Sequence, residues 1–245
     1  MIGLEISGEK TKVMFANTQP GSIVVDNQRL EEVDSFVYLG SVISPSGSNN
    51  KDIAARIAKA RATFKRLWFP LWRRTDISIR TKVRVYKASV RTVLLYAAET
   101  WALTKADITR LNGCEMNFLR QLAHVSWQVR WTNDAVRRYC SIEELHSELR
   151  LRRLRWLGHI SRMRDGRYPK ETFFQEPFRQ WRRPVGRPRT TWRDCALEDT
   201  MSIIRPRDRR GNYKSWMPNS AGWKKQVATI AADREAWRTR IHSAA

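Results

Sequence analysis

Residues 51–67 read KDIAARIAKARATFKRL, and their apolar side chains recur at spacings of three and four residues. The recurring positions are Ile53, Ile57, Ala60, Phe64 and Leu67. This period places them on one face of an α-helix, while most of the Lys and Arg residues between them fall on other faces. We therefore predict an amphipathic helix that has an apolar stripe and a basic edge and ends near Pro70.

Two further stretches repeat this pattern downstream. One begins near Asp76, a residue type that caps helices, and carries apolar residues at helical spacing as far as Leu94. The other runs from about residue 105 to 123. Three helices of this kind can bury their stripes against one another, so we predict a small helical bundle over residues 49–124.

The residues on either side of this bundle differ in character. Before it, short β-branched and aromatic runs at 12–16, 22–25 and 36–43, with an Asp26-Asn27 turn dipeptide, predict a small β element over residues 1–46. After it, Ser141-Ile142-Glu143-Glu144 has the pattern of a capping box that opens a helix. Pro and Gly residues at about 165–190 predict a loop, and helices are predicted at about 190–203 and 220–242. The fold class is therefore mainly α, and residues 125–245 form a basic C-terminal helical region.

The charge balance indicates a polyanionic partner. The chain has 46 Lys and Arg residues against 24 Asp and Glu residues, a net charge of +22. The part from Arg150 to the end holds 24 basic and 9 acidic residues. A chain this basic attracts phosphate backbones, so we expect RNA or DNA as the partner. The alternative is a solvated basic surface that has no specific ligand.

Candidate contacts to nucleic acid lie on the basic edge of the first helix, in the Arg-rich stretch 150–155 and in the Pro/Gly/Arg loop. They are Lys59, Lys65, Arg66, Arg150, Arg152, Arg153, Arg155, Arg182, Arg183, Arg187 and Arg189. On a helix the four arginines of 150–155 cannot share one face, so one set is expected to pack while the other meets phosphate. Trp181, which lies among arginines, is a candidate for stacking on a base.

Several classes of site and location are not indicated. Cys114, Cys140 and Cys195 lie far apart without a C-x-x-C pair, so we predict neither a metal site nor a disulfide framework. His159 has no carboxylate pair beside it, and we interpret it as structural. The N-terminus lacks a signal-peptide pattern and no apolar run approaches the length of a membrane span, so we expect a nuclear or cytoplasmic protein that is not secreted and has no membrane partner.

Five motifs in order carry a resemblance to a known family. They are Gly3-Leu4-x-Ile6 with Lys10-Thr11-Lys12-x-Met14; Phe36-x-Tyr38-Leu39-Gly40 with Ile43-Ser44; Leu95-Tyr96-x-x-Glu99-Thr100-Trp101; Leu154-Arg155-Trp156-Leu157-Gly158-His159 with Arg162-Met163; and Gly186-Arg187-Pro188-Arg189 with Trp192 and Asp194. Together they resemble the late-palm, primer-grip, thumb and C-terminal parts of LINE-type (non-LTR, RTE-like) retrotransposon reverse transcriptases. The resemblance spans roughly residues 3–200.

The resemblance implies a palm remnant, a thumb-like bundle and a C-terminal region that hold RNA and DNA. It also implies a primer-grip-like turn at Tyr38, Leu39 and Gly40, for which the alternative is an ordinary hairpin with Tyr38 in the core. The family enzyme is an RNA-directed DNA polymerase that uses Mg²⁺ held by a Tyr-x-Asp-Asp turn. No Asp-Asp pair occurs in this chain, so we expect no catalytic residue and no cofactor here.

The chain is therefore expected to be a nucleic-acid-binding remnant or truncated copy, with a palm domain upstream in the full-length parent. Three alternatives stay open. The first is a stand-alone protein that binds the DNA minor groove through Arg187 and Arg189. The second is an enzyme that takes its palm from another chain, and the third is a non-functional translated fragment.

Overall fold

The computed structural model describes residues 6–16, 19, 21–174, 186, 190–204 and 221–243. This part of the chain is mainly helical and has a few short strands at its start, which confirms the predicted fold class. Within these residues, no helix is both long and apolar enough to span a bilayer.

Six short strands come first. They are β1 Lys12–Val13, β2 Val24–Val25, β3 Gln28–Arg29, β4 Glu31–Glu32, β5 Phe36–Tyr38 and β6 Ser41–Ile43. Strand β1 pairs in parallel with β4, while β2 with β3 and β5 with β6 form antiparallel pairs. The β2–β3 turn is the predicted Asp26-Asn27 dipeptide, and both of its residues have positive φ, as this tight turn requires.

Ten α-helices follow in the described residues. They are α1 Asn50–Arg66, α2 Ile79–Tyr86, α3 Thr92–Leu94, α4 Lys105–Leu122, α5 Asn133–Cys140, α6 Leu145–Ser161, α7 Tyr168–Phe174, α8 Trp192–Ile204, α9 Ala221–Ala232 and α10 Arg234–Ser243. Single π-helical turns at Trp68–Trp72 and Lys87–Arg91, and 3₁₀ turns at Ala98–Thr100 and Trp127–Val129, connect or extend them.

The first hydrophobic core contains side chains from all of the helices α1 through α5 and from the start of α6. Four predicted stripe residues of α1 are buried in it and Leu67 packs against it, which confirms the predicted helix face. The Phe64 ring stacks on Trp72, with centroids 5.2 Å apart, and on Phe118 at 4.6 Å. Aromatic pairs of this kind add to the burial of apolar area, so Phe64 is central to this core.

A second core surrounds the later part of α6 and includes side chains from α7 to α10. Because α6 borders both cores, apolar side chains are buried around most of its circumference. The predicted helix at 220–242 is two helices, since the Asp233 carboxylate caps α10 by accepting the backbone N–H groups of Glu235 and Ala236 at 2.9 and 3.1 Å. Residues 168–174, predicted as loop, form α7.

Two predicted helix caps are wrong. Ser141 does not open α6: it ends α5 in a left-handed conformation, with φ of 47°, and α6 begins at Leu145. A residue in that conformation cannot serve as an N-cap, which requires an extended backbone. Helix α2 is capped by Ser78, whose hydroxyl accepts the Thr81 N–H at 3.3 Å, while Asp76 pairs with Arg74 instead.

Candidate nucleic-acid interface

The outer face of α1 concentrates positive charge. Its five exposed cations are Lys51, Lys59, Arg61, Lys65 and Arg66. The only acidic residue of the helix, Asp52, is 2% exposed and therefore absent from this face. Lys59, Lys65 and Arg66, three of the predicted contacts, form no ion pair with any described residue, so their charges are not neutralised within this part of the chain.

An exposed aromatic ring lies just beyond the basic end of α1. Phe69 is 72% exposed, and the Arg73 guanidinium lies 5.9 Å from its ring centroid. An exposed ring among cations is the arrangement that stacks on bases. Phe69 is not among the residues predicted from the sequence, although its position between Arg66 and Arg73 was a usable signal.

The β5–β6 hairpin carries the primer-grip-like residues at its tip. Tyr38 and Leu39 are 57% and 76% exposed, so the alternative that buries Tyr38 in a core does not hold. Leu39 and Gly40 form the turn with φ of 47° and 84°, a conformation that suits Gly40 because it has no Cβ. The Tyr96 hydroxyl donates to the Leu39 carbonyl at 2.9 Å. The tip is thereby fixed to the segment that follows α3.

A single buried carboxylate joins this hairpin to α1. Asp52 accepts the Val42 N–H at 2.9 Å and the Ser41 hydroxyl at 2.8 Å. It also accepts the indole N–H of Trp101 at 2.9 Å. Arg56, one turn later, donates to the Gly40 carbonyl, and its guanidinium lies over the Tyr96 ring. These hydrogen bonds therefore fix the position of the hairpin relative to the cationic face of α1.

Two of the predicted arginines are used inside the protein. Arg153 is 3% exposed, pairs with Asp199 at 2.6 Å and donates to the Trp101 carbonyl at 3.4 Å. Arg150 donates to the Asp199 carbonyl at 3.2 Å. Both line a pocket of about 510 Å³ that also contains Glu198, so its charge is mixed. We therefore withdraw Arg150 and Arg153 from the candidate interface.

Arg152 and Arg155 have different surroundings, although they share a side of α6. Arg152 pairs with Glu148 at 2.8 Å and donates to the Leu95 carbonyl at 3.0 Å, which also ties it to the protein. Arg155 is exposed, and its guanidinium contacts the His242 ring nitrogen at 3.2 Å. Of these two arginines, Arg155 is the one that faces solvent.

The predicted contacts of the Pro/Gly/Arg loop lie outside the described residues. They are Trp181, Arg182, Arg183, Arg187 and Arg189. Gly186, which the structure does describe, is exposed with φ of 115°, a conformation that other residues rarely adopt. The minor-groove alternative depends on Arg187 and Arg189 and so stays a prediction.

His159 and the three cysteines, for which the sequence predicts no metal site, differ in exposure. His159 is exposed, and its ring centroid lies 5.2 Å from that of Trp156. Cys114, Cys140 and Cys195 are free and buried. Burial raises the pKa of the Cys140 thiol to about 11. No group of three or more His, Cys, Asp or Glu side chains suited to a metal occurs in the described part of the chain.

Comparison with known proteins gives one informative similarity. An uncharacterized protein of Caenorhabditis elegans whose name describes it as transposon-derived is 27% identical over an alignment of 245 positions. The alignment covers 96% of this chain and 82% of the relative. No protein-family model matches the chain, and no solved structure matches it. The similarity to the worm protein supports a transposon-related origin for this chain.

Proposed function

We propose that this chain derives from the late-palm, thumb and C-terminal part of a LINE-type reverse transcriptase and binds RNA or DNA without reading its sequence. The observation that carries the binding proposal is the outer face of α1, with five exposed cations and no exposed acidic residue. Lysine and arginine side chains on such a face neutralise backbone phosphates, and these contacts carry no sequence information.

The dimensions of this face suit a nucleic-acid strand. From Lys51 to Arg66 the helix rises by about 22 Å. Duplex DNA carries one negative charge about every 1.7 Å of its axis, so a duplex presents several phosphates over this length. The Ser41–Asp52 hydrogen bond places the β5–β6 hairpin at the start of this face, and Phe69 lies beyond its end. Phosphate contacts along α1 and stacking at Phe69 would together hold a strand of any sequence.

The proposed origin has two supports. One is the similarity to a transposon-derived protein. The other is the part that motif residues play in the fold: of the thumb-like motif, Tyr96 donates to Leu39 at the hairpin tip, and Trp101 donates to Asp52 of α1, which in turn binds the hairpin. We assign no polymerase step to this chain, since its sequence has no Asp-Asp pair to hold the Mg²⁺ ions that the family enzyme uses.

The binding proposal is tested by two charge-matched triple variants. Lys59→Gln, Lys65→Gln and Arg66→Gln together remove three charges from the α1 face, while Arg164→Gln, Lys225→Gln and Arg240→Gln remove three exposed charges elsewhere. Fluorescence anisotropy with RNA, single-stranded DNA and duplex DNA of unrelated sequences gives the affinities. We expect the first variant to lose about tenfold or more on every substrate and the second to change by about twofold or less.

Equal losses for the two triple variants would show that net charge alone governs binding and would contradict the assignment to α1. A wild-type chain that fails to bind any of the three substrates would support the alternative of a non-functional translated fragment.

A further inference from the structure

Four arginines converge on one small pocket between α6 and α10. Arg155 comes from α6, Arg162 is the residue that ends this helix, and Arg234 and Arg238 come from α10. The pocket has a volume of about 250 Å³, and Trp237 and Ile241 complete its lining. No residue of the α1 face is among its described lining residues, so it is a separate site from that face.

Helix geometry explains how each pair reaches the pocket. Arg155 and Arg162, the C-cap of α6, are seven residues apart, so they lie on the same exposed side of the helix and are separated by about 10 Å along its axis. Arg234 and Arg238 are four residues apart and therefore project from one side of α10. Each of these two segments therefore contributes two cations to the pocket.

Close packing sets the separation of the two helices. The Trp237 indole donates to the Leu154 carbonyl at 3.0 Å and is 2% exposed. It lies so close to Gly158 that a Cβ built at that position would be 2.3 Å from the indole nitrogen. Arg162 is held in place by a 2.8 Å hydrogen bond to the Ala231 carbonyl. The floor of the pocket, formed by Trp237 and Ile241, therefore belongs to the second core, while its four arginines are exposed.

Among the described lining residues, the positive charges of this pocket have no carboxylate between them. No Asp or Glu is part of its described lining, and Glu148, on the same helix as Arg155, is paired with Arg152. Arg234 and Arg238 form no ion pair or hydrogen bond through their side chains with the described residues. Burial lowers the pKa of Arg162, and the charge of Arg234 lowers it further. A bound anion would relieve this repulsion.

We propose that this pocket binds a multiply charged phosphate group, either the terminal phosphate of a nucleic acid or a free polyphosphate. Guanidinium groups bind phosphate oxygens through paired hydrogen bonds, and four of them exceed what a singly charged phosphodiester needs. The volume is smaller than the roughly 300 Å³ at which pockets for larger organic ligands begin, so a compact anion fits better than a whole nucleoside.

The first test uses tripolyphosphate and the full-length chain. Arg238→Ala removes a pocket cation, and Arg240→Ala removes an exposed cation from the same helix that does not line the pocket. Calorimetric titration should show binding to the wild-type protein, a loss of about tenfold or more in Arg238→Ala and little change in Arg240→Ala. Thermal unfolding without ligand establishes that both variants are folded.

The second test identifies the source of the phosphate. Oligonucleotides of one sequence with and without a 5′-phosphate are compared on the wild-type protein and on Arg238→Ala. Tighter binding of the phosphorylated form that Arg238→Ala abolishes supports a nucleic-acid end; tripolyphosphate binding without that preference supports a free polyphosphate. Absence of both effects, or equal losses in Arg238→Ala and Arg240→Ala, overturns the proposal.

The α1 triple variant should bind tripolyphosphate normally, so failure at this pocket is distinguishable from failure of the α1 interface.

Discussion

The indole Nε1 of Trp101 donates a hydrogen bond of 2.9 Å to Oδ2 of Asp52, a residue 49 positions earlier in the chain. Both residues are buried, and the same carboxylate accepts the backbone N–H of Val42. One acidic side chain therefore connects the hairpin, the first turn of α1 and the thumb-like motif. This connection fixes the exposed residues of the hairpin tip relative to the cations of α1.

Asp52→Ala should destabilise the protein by about 3 kcal/mol, because it leaves the Trp101 and Val42 N–H groups without an acceptor and Arg56 without its nearby carboxylate. Urea unfolding followed by tryptophan fluorescence measures this change. Asp76→Ala, which removes an exposed acid, is the control and should leave the urea midpoint unchanged. Equal midpoints for the two variants would contradict the role assigned to Asp52.

Gly158→Ala and Gly113→Ala should have opposite effects although both place Ala inside a helix. A Cβ at Gly113 meets nothing within 4 Å, so Ala should stabilise α4 by about 0.5–1 kcal/mol. A Cβ at Gly158 would collide with the buried Trp237 ring, and the shift required should cost about 1–3 kcal/mol. Gly158→Ala should also weaken tripolyphosphate binding, because it displaces α10. Stabilisation by both substitutions in urea unfolding would show that Trp237 does not pack on Gly158.

Arg153→Met should destabilise the protein by about 3 kcal/mol near neutral pH, since it leaves Asp199 buried without its main partner. Burial already raises the pKa of Asp199, and Arg153 counteracts that rise. Loss of Arg153 raises this pKa further, so the folded variant takes up a proton more readily than the unfolded chain does. The loss of stability should therefore be smaller at about pH 5 than at about pH 7.5.

Arg155→Met, on the exposed side of the same helix, is the control and should change stability little. Nucleic-acid binding by the α1 face should be unaffected by Arg153→Met. A loss of stability that does not depend on pH would contradict the role given to Asp199 protonation, and a loss of binding with stability intact would favour a surface role for Arg153.

The three cysteines should react slowly with a disulfide reagent in the folded protein. Cys140 has a pKa of about 11, so at about pH 8 only about one thiol in a thousand is ionised, and all three thiols are buried. Reaction with Ellman's reagent should be slow under native conditions and complete after addition of guanidinium chloride. Rapid reaction of one or more thiols in the folded protein would contradict their burial.

Features that depend on the local spacing of apolar and charged residues could be predicted from the sequence. The stripe from Ile53 to Phe64 repeats every three to four residues, and it is buried. Asp26-Asn27 takes its turn conformation from the two residues themselves. Five of the six cations of α1 are exposed because they lie off that stripe, so this half of the candidate site followed from the sequence, whereas the burial of Arg56 did not.

The roles of the other arginines depend on residues distant in sequence. Arg153 is buried because Asp199, 46 positions away, lies against α6. Similarly, Arg162 and Arg234 line the same pocket because Trp237 packs on Gly158, and no local period indicates that proximity. Ser141 does not cap α6, because the chain turns at this residue to end α5 before α6 begins.

The salt dependence of binding tests the central claim most directly. For the wild-type chain and a duplex of about 20 base pairs, log K should fall linearly with log salt, as release of condensed counterions requires. Lys59→Gln, Lys65→Gln and Arg66→Gln together should reduce the slope by about 2 to 3, since each phosphate contact contributes about 0.9. A flat wild-type slope, or a triple variant that keeps the wild-type slope, would contradict the account.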